Sequence, residues 1–271
     1  MIVVGLDTST AATAVALRLA DGLTSVARDD PPARARPGHA TRLLDMLHDL
    51  LVRAGVAWSE IDRIAVGVGP GTFTGLRVGV ATARGLSQSL GAELVGVSSL
   101  RALAAAALAG ESIDAGFGEP IDTGAGEPAD AGPGEPVGVL AVIDARRGEA
   151  FAAAYEAGDH GDPRELVPAR ALPPAGLADV LAAAEQTLDG AERRWLAVGD
   201  GAVRFRDELA GAGAIVPSDE SPLHLLSGAA ICELGVRLAP LGVREIEPDY
   251  RRRPDAEVAL ERAASGGGVQ L

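Results

Sequence analysis

The chain has 271 residues, of which 47% are hydrophobic and 3% aromatic, and it carries a formal net charge of −14 at pH 7. This length allows two modest domains, whose cores must be built mainly from alanine, valine and leucine. The negative charge argues against tight, autonomous binding to nucleic acid, because neutralising phosphates requires a basic surface.

Cysteine usage and hydropathy indicate a cytoplasmic protein. Cys232 is the only cysteine, so no internal disulfide can form, which fits a reducing compartment. We expect Cys232 to be a small buried hydrophobe in a helix rather than a nucleophile. No apolar run reaches the ~18 residues that a membrane-spanning helix needs, and Asp7 interrupts the apolar run that a signal peptide would need. We therefore expect no contact with a membrane.

The N-terminal residues predict a β-hairpin. An apolar strand over residues 1–6 ends at Asp7, and two further strands follow the turn, the first of them over residues 13–19. Asp7, Thr8 and Ser9 are common turn residues, so a structural turn explains them. The same three residues are similar to the phosphate-contacting hairpin of the actin, sugar-kinase and Hsp70 superfamily. A nucleotide site is therefore the alternative interpretation.

The next predicted element is a helix over residues 39–54, which follows a loop rich in proline and arginine. At about 100° per residue, its apolar side chains cover an arc of about 160°, wider than the ~100° stripe that one core contact requires. The helix can therefore face its own sheet and a second helix at the same time. That second helix can belong to the same chain or to a partner. The apolar residues are Leu43, Leu44, Met46, Leu47, Leu50, Leu51 and Ala54.

A glycine-rich stretch in the first half of the chain predicts strand, loop, helix and strand in direct succession. Continuous apolar residues over 64–68 indicate a strand that is buried on both faces. Thr72 or Thr74 can cap the helix that follows the loop. Ser98 or Ser99 can cap a further helix after the second strand.

The glycines of this loop, Gly69 and Gly71 among them, can expose N–H groups at a helix N-terminus and so bind an anion. The spacing argues against the common versions of such a loop. Five residues separate Gly69 from Gly75, Leu76 follows, and the chain contains no lysine, so the Walker pattern fails. The dinucleotide-binding pattern also fails, because Pro70 interrupts it.

Small residues recur every four positions along the predicted helix after the loop. Gly75, Gly79, Ala83 and Ser87 form one smooth ridge. Gly79 and Gly85 inside a helix each cost ~1 kcal/mol relative to alanine, so other structure should lie close to this helix. Two explanations stay open, namely packing within the chain and contact with a helix of a partner.

Residues 111–136 form a low-complexity insertion that contains the acidic octapeptides ESIDAGFG, EPIDTGAG and EPADAGPG. The insertion has seven acidic residues and no basic residue, and its glycine, proline and self-repulsion all oppose a packed core. We predict a disordered loop between two lobes. Calcium-binding repeats are the alternative, although the acids match neither an EF-hand nor a nonapeptide pattern.

Residues 137–271 predict a second lobe, whose first two strands are joined by a turn at residues 144–148. We expect residues 1–110 to form the first lobe, to which a late helix near 222–240 returns. The elements predicted after the insertion are strands over 137–143 and 149–155, a loop over 158–174 with one short strand, a helix over 177–188, a strand over 195–198 and a helix over 227–238.

Several of these motifs resemble one protein family across most of the chain. They are VVGLDTSTAATAVAL at the N-terminus, GPGTFTGLRVGVATARGL with GVSSL after it, DARRGEAFAAAY, VGDGA and the PDYRRR of residues 248–253. The sequence resembles the TsaB (YeaZ) family, a bacterial subunit of the tRNA threonylcarbamoyladenosine machinery. The acidic insertion falls outside the resemblance.

The resemblance implies an α/β protein with the two-lobed, actin-like ATPase (ASKHA) fold, in which each lobe has RNase H-like topology and the nucleotide site is degenerate. It also implies a non-catalytic subunit that binds TsaD in the complex forming N6-threonylcarbamoyladenosine beside the anticodon of tRNAs that read codons beginning with A. TsaE belongs to that complex, and tRNA is contacted only through it. This chain requires no cofactor of its own, whereas ATP or ADP can bind in the complex.

We expect no catalytic and no metal-binding residues, since the four histidines include no HxxxH pair and the sequence has no GxSxG or HExxH motif. An independent kinase or ATPase that uses Asp7, or a peptidase, is the alternative. Without its partner, the chain can form a homodimer. The residues assigned to the TsaD interface are Leu43, Leu47, Leu50, Leu51, Gly75, Gly79 and Ala83.

Overall fold

The computed structural model describes residues 1–32, 35–109, 137–188 and 193–251, which form two mixed β-sheets with helices on their faces. The acidic insertion, residues 111–136, lies outside the described residues, so its disorder stays a prediction. None of the helices in the described ranges has the length and apolar character that a bilayer crossing demands.

The first sheet has five strands, and α1 (His39–Ala54) and α2 (Phe73–Leu90) pack on one of its faces. The strands are β1 (Val3–Asp7), β2 (Thr13–Arg18), β3 (Thr24–Asp29), β4 (Arg63–Gly69) and β5 (Glu93–Ser98), in the spatial order β3-β2-β1-β4-β5. The first three strands form an antiparallel meander, whereas β4 and β5 extend the sheet in parallel from β1.

The second sheet repeats this topology with one strand fewer. Its strands are β6 (Val137–Arg146), β7 (Glu149–Ala157), β8 (Pro163–Leu172) and β9 (Arg194–Val198), in the spatial order β8-β7-β6-β9. β6, β7 and β8 form an antiparallel meander, and β9 pairs with β6 in parallel. Both sheets therefore have RNase H-like topology, as predicted.

The remaining helices fill the space between the sheets and cover the outer face of the second sheet. They are α3 (Ser99–Ala109), α4 (Leu177–Gln186), α5 (Asp200–Arg204), α6 (Arg206–Gly211) and α7 (Gly228–Arg237). α3 and α7 lie between the sheets, where Leu103 and Ile231 join Val97 of the first sheet and Ile143 of the second in one buried cluster. The other three helices pack on the outer face of the second sheet.

α7 packs so closely on the first sheet that only glycine fits at two of its positions. A Cβ added to Gly228 would stand 2.6 Å from the backbone carbon of Val15, and one added to Gly235 would stand 2.5 Å from the Cβ of Ala65. The buried Arg63 then holds the end of this helix, because its Nη1 donates to three backbone carbonyls there at 2.8–3.1 Å. This satisfies carbonyl groups that a helix C-terminus leaves unpaired.

The predicted loop with one short strand over residues 158–174 understates the strand, because β8 occupies most of this range. This strand pairs with β7 from Ala157 opposite Pro163 to Ala150 opposite Leu172, with register shifts between them. The prolines at 163 and 168 argued against a strand in the sequence, because proline has no N–H to donate to a neighbouring strand. They are tolerated because β8 is an edge strand, where ladder hydrogen bonds are needed on one side only.

Candidate functional site

Asp7 is the last residue of β1 and is the centre of a buried hydrogen-bond network. Its Oδ1 accepts bonds from the N–H and the hydroxyl of Ser9, both at 2.7 Å, and its Oδ2 accepts one from the hydroxyl of Ser99, also at 2.7 Å. Burial raises the pKa of Asp7, and the bonds from the two serines oppose that rise. The carboxylate therefore ties the N-terminal hairpin to the first residue of α3.

The glycine loop after β4 closes directly over this hairpin. A Cβ at Gly67 would overlap the Asp7 carboxylate, and a Cβ at Gly71 would overlap the carbonyl oxygen of Ser9. Asp7 and Thr8 are each 1% exposed, and Ser9 is fully buried. The structure thus packs Gly71 directly on the hairpin of Asp7, Thr8 and Ser9, whereas Gly69 lies beside Leu76 and the carbonyl of Asp249.

The small-residue ridge of α2 packs on the same hairpin. The hydroxyl of Thr8 donates to the carbonyl of Gly75 at 2.7 Å, and a Cβ at Gly75 would overlap the carbonyl oxygen of Thr8. A Cβ at Gly79 would overlap the Thr8 hydroxyl. Of the two explanations for the ridge, packing within the chain accounts for Gly75 and Gly79.

The predicted cap at the start of α2 is correct in position but not in chemistry. Thr72 is the residue that precedes the helix, yet its hydroxyl makes no capping bond, and its N–H donates to the carbonyl of Ser9 at 2.7 Å. For α3, Ser98 is the cap, since its hydroxyl accepts a bond from the N–H of Arg101 at 3.4 Å. The hydroxyl of Ser99 can therefore donate to Asp7 instead of capping the helix.

Four leucines of α1, all except Leu44, are likewise buried against their own sheet. The assignment of these residues to a TsaD interface stays a prediction, while their burial shows that they pack within the chain itself. The wide apolar arc of α1 reflects packing on the sheet together with α2. All seven residues that the sequence analysis assigned to the TsaD interface are buried. They are Leu43, Leu47, Leu50, Leu51, Gly75, Gly79 and Ala83.

The same two helices also carry exposed small or apolar residues, and we call Leu44, Val52, Ala81 and Gly85 the α1/α2 outer face. Leu44 and Val52 of α1 are 48% and 63% exposed. Ala81 and Gly85 of α2 are exposed, and a Cβ added to Gly85 would meet no atom within 4 Å. Unlike Gly79, Gly85 therefore has no neighbour in the described part of the chain that explains a glycine at this helical position.

The second lobe contains an acidic site at the equivalent topological position. Asp144, near the end of β6, donates its N–H to Oδ1 of Asp200 at 3.0 Å. Its own Oδ2 lies 2.7 Å from Nη1 of Arg204 and 3.2 Å from Nη1 of Arg146. Burial raises the pKa of Asp200, and the nearby charge of Asp144 adds to the rise. A Cβ at Gly199 would overlap the backbone of β6, so the residue before Asp200 also packs closely on the strand that carries Asp144.

Cys232 and His39, which could act as a nucleophile or a metal ligand, are both buried. Cys232 is fully buried with its Sγ 3.7 Å from the carbonyl of Val3, and burial raises the pKa of its thiol. His39 lies within hydrogen-bond distance of Thr13, with Nδ1 2.9 Å from the hydroxyl, and burial lowers its pKa. Within the described ranges, no three His, Cys, Asp or Glu residues come together as metal ligands.

Two sheets of matching topology, each with an acid-bearing hairpin after its first strand, define a two-lobed α/β protein of the actin-like fold. YeaZ from Pseudomonas aeruginosa superposes on this chain with a TM-score of 0.66 and 27% identity, over 92% of this chain and 99% of that one. TsaB of Escherichia coli K12 is 30% identical over 260 residues, which cover 93% of this chain and 95% of its own. The chain belongs to the TsaB family.

A second relationship covers the first lobe. The family model described as TsaD, tRNA N6-adenosine threonylcarbamoyltransferase, matches residues 31–118. The tRNA N6-adenosine threonylcarbamoyltransferase of Solidesulfovibrio magneticus is 36% identical over 124 residues, which cover 42% of this chain and 33% of that enzyme. α1 and α2 both lie inside the range that the TsaD model matches.

Proposed function

We propose that this chain is a non-catalytic subunit that binds TsaD in the complex forming N6-threonylcarbamoyladenosine next to the anticodon of tRNAs that read codons beginning with A. Membership of the TsaB family supports a role in the biosynthesis of this nucleoside. The observation that carries the proposal is the α1/α2 outer face, which lies within the segment related to TsaD. TsaE joins the same complex, and tRNA reaches this chain only there.

The relationship between the two proteins supports a specific arrangement. If TsaD contains helices equivalent to α1 and α2, the two helix pairs can pack about a pseudo-twofold axis, as equivalent patches do in a symmetric dimer. Ala81 and Gly85 allow a partner helix to approach closely, while Leu44 and Val52 supply apolar contact at the edge. Without TsaD, the same face serves a homodimer.

The burial of Asp7 supports a non-catalytic role. A carboxylate that orients metal-bound water in an ATPase must present an oxygen to that water. Both oxygens of Asp7 accept bonds from Ser9 and Ser99, and the side chain is 1% exposed. This chain therefore requires no nucleotide of its own, although ATP or ADP can bind elsewhere in the complex. The competing candidates are an independent ATPase or kinase that uses Asp7, and a peptidase.

Ala81→Arg is expected to weaken binding to TsaD at least about 100-fold, because it inserts a long cation into the centre of a close helix contact. This change corresponds to roughly 2.7 kcal/mol of binding free energy. Titration calorimetry with purified TsaD measures it. Ala178→Arg is the matched control, since Ala178 is an exposed alanine on α4 in the second lobe. An Ala81→Arg variant that binds TsaD as tightly as the parent would remove the α1/α2 outer face from the interface.

A further inference from the structure

The segment after α7 returns across the first lobe and reaches the start of α2. The N–H of Leu241 donates to the carbonyl of Leu94 at 2.9 Å, and the N–H of Asp249 donates to the carbonyl of Val68 at 2.7 Å. Between these two points, Ile246 is 2% exposed and packs in the core of the first lobe. These contacts therefore hold the segment in place up to the residue before Tyr250.

Tyr250 then meets two side chains from the first turns of α2, and we call Phe73, Arg77 and Tyr250 the aromatic platform. The rings of Phe73 and Tyr250 are 5.1 Å apart between centroids and inclined at 36°. The guanidinium of Arg77 lies 3.8 Å from the centroid of Phe73, and its Nε donates to the hydroxyl of Tyr250 at 3.0 Å. Tyr250 nevertheless remains 42% exposed.

The charge of Arg77 is not neutralised by its neighbours. Among the residues that the structure describes, none with a carboxylate forms an ion pair with it, and its contacts are the two rings and the Tyr250 hydroxyl. The adjacent Asp249 pairs with Arg251 at 2.7 Å, and Arg251 also reaches the carbonyl of Ala169 on β8 at 3.2 Å. Arg251 thus positions the segment, while the exposed Arg77 has no carboxylate partner among the described residues.

We infer that the aromatic platform is a contact for single-stranded RNA, which stacks a base on the exposed face of Tyr250 and places a phosphate at Arg77. Aromatic rings bind unpaired bases by stacking, and arginine binds phosphate through charge-assisted hydrogen bonds. The inference rests on the proposed function, since tRNA reaches this chain only in the complex. Because the net charge is −14, we expect that one such contact is not enough to bind RNA without TsaD.

The test uses the complex assembled from this chain, TsaD and TsaE, with a fluorescently labelled tRNA transcript whose dissociation constant is measured by anisotropy. Tyr250→Ala removes the stacking surface and should weaken tRNA binding about tenfold. Tyr250→Phe keeps the ring and should bind within about twofold of the parent. Arg77→Gln should weaken binding and reduce the slope of log Kd against log salt by about 1.

Titration calorimetry of each variant with TsaD accompanies the tRNA measurement. A Tyr250→Ala complex that assembles normally and binds tRNA as tightly as the parent would overturn the inference. So would a Tyr250→Ala variant whose affinity falls for TsaD but not for tRNA, because the platform would then be a protein contact. Failure of the parent chain to bind TsaD is a separate result, which would contradict the proposed function itself.

Discussion

Gly75→Ala is expected to lower the free energy of unfolding by about 3 kcal/mol, even though alanine favours a helix by ~1 kcal/mol over glycine. The added methyl group would overlap the carbonyl oxygen of Thr8, a backbone atom that cannot rotate away. Either α2 or the N-terminal hairpin must move. The bond from the Thr8 hydroxyl to the Gly75 carbonyl would then be strained or lost as well.

The same substitution at Gly85 is the control, because both residues lie in α2. An added Cβ at Gly85 meets no atom within 4 Å, so Gly85→Ala should raise the free energy of unfolding by about 1 kcal/mol through helix propensity alone. Urea unfolding of the three proteins measures the difference. Equal stability of the parent and the Gly75→Ala variant would contradict the close packing of α2 on the hairpin.

Asp7→Ala should cost about 3 kcal/mol of stability, because it removes three hydrogen bonds to a charged acceptor and leaves the donors of Ser9 and Ser99 buried without partners. Relief from burying a charge offsets part of this loss. Asp7→Asn keeps an acceptor for Ser9 and removes the buried charge, so its stability should stay within about 1 kcal/mol of the parent. Thermal and urea unfolding of both variants provide the measurement.

The same two variants separate a structural Asp7 from a catalytic one. With a structural role, the purified chain shows no Asp7-dependent turnover of ATP, and Asp7→Asn behaves like the parent in TsaD binding. Robust metal-dependent ATP turnover by the chain alone, abolished in a stably folded Asp7→Asn variant, would instead establish an independent ATPase. This outcome would contradict the proposal that the chain is non-catalytic.

Local patterns in the sequence predicted most of the regular elements. α1 spans His39–Ala54 as predicted, since Gly55 ends it in the left-handed conformation that glycine adopts readily. β4 agrees with the prediction within one residue at each end, and the predicted cap residue Thr72 directly precedes α2, because glycines mark the loop between them. In each case the signal lies within a few residues of the boundary that it fixes.

Contacts between residues far apart in the sequence could not be predicted from local patterns. Ser99 bonds to Asp7 across 92 positions, and no local pattern distinguishes that role from the capping role that Ser98 fills. Helical periodicity identified the ridge of Gly75 and Gly79, but it does not say what lies against the ridge. Gly85 is the sequence feature that indicates an outer face, because it lies off that ridge and no described residue packs closely enough to require a glycine there.

The measurement that tests the central claim most directly is site-specific cross-linking from the α1/α2 outer face to TsaD. Gly85→Cys introduces an accessible thiol on that face, while the native Cys232 is fully buried, so a thiol-reactive photo-crosslinker attaches at one position. After irradiation of the complex, mass spectrometry identifies the TsaD peptide. The account predicts a peptide from the TsaD segment equivalent to residues 31–109 of this chain. A complex that forms normally but cross-links elsewhere in TsaD, or not at all, would contradict it.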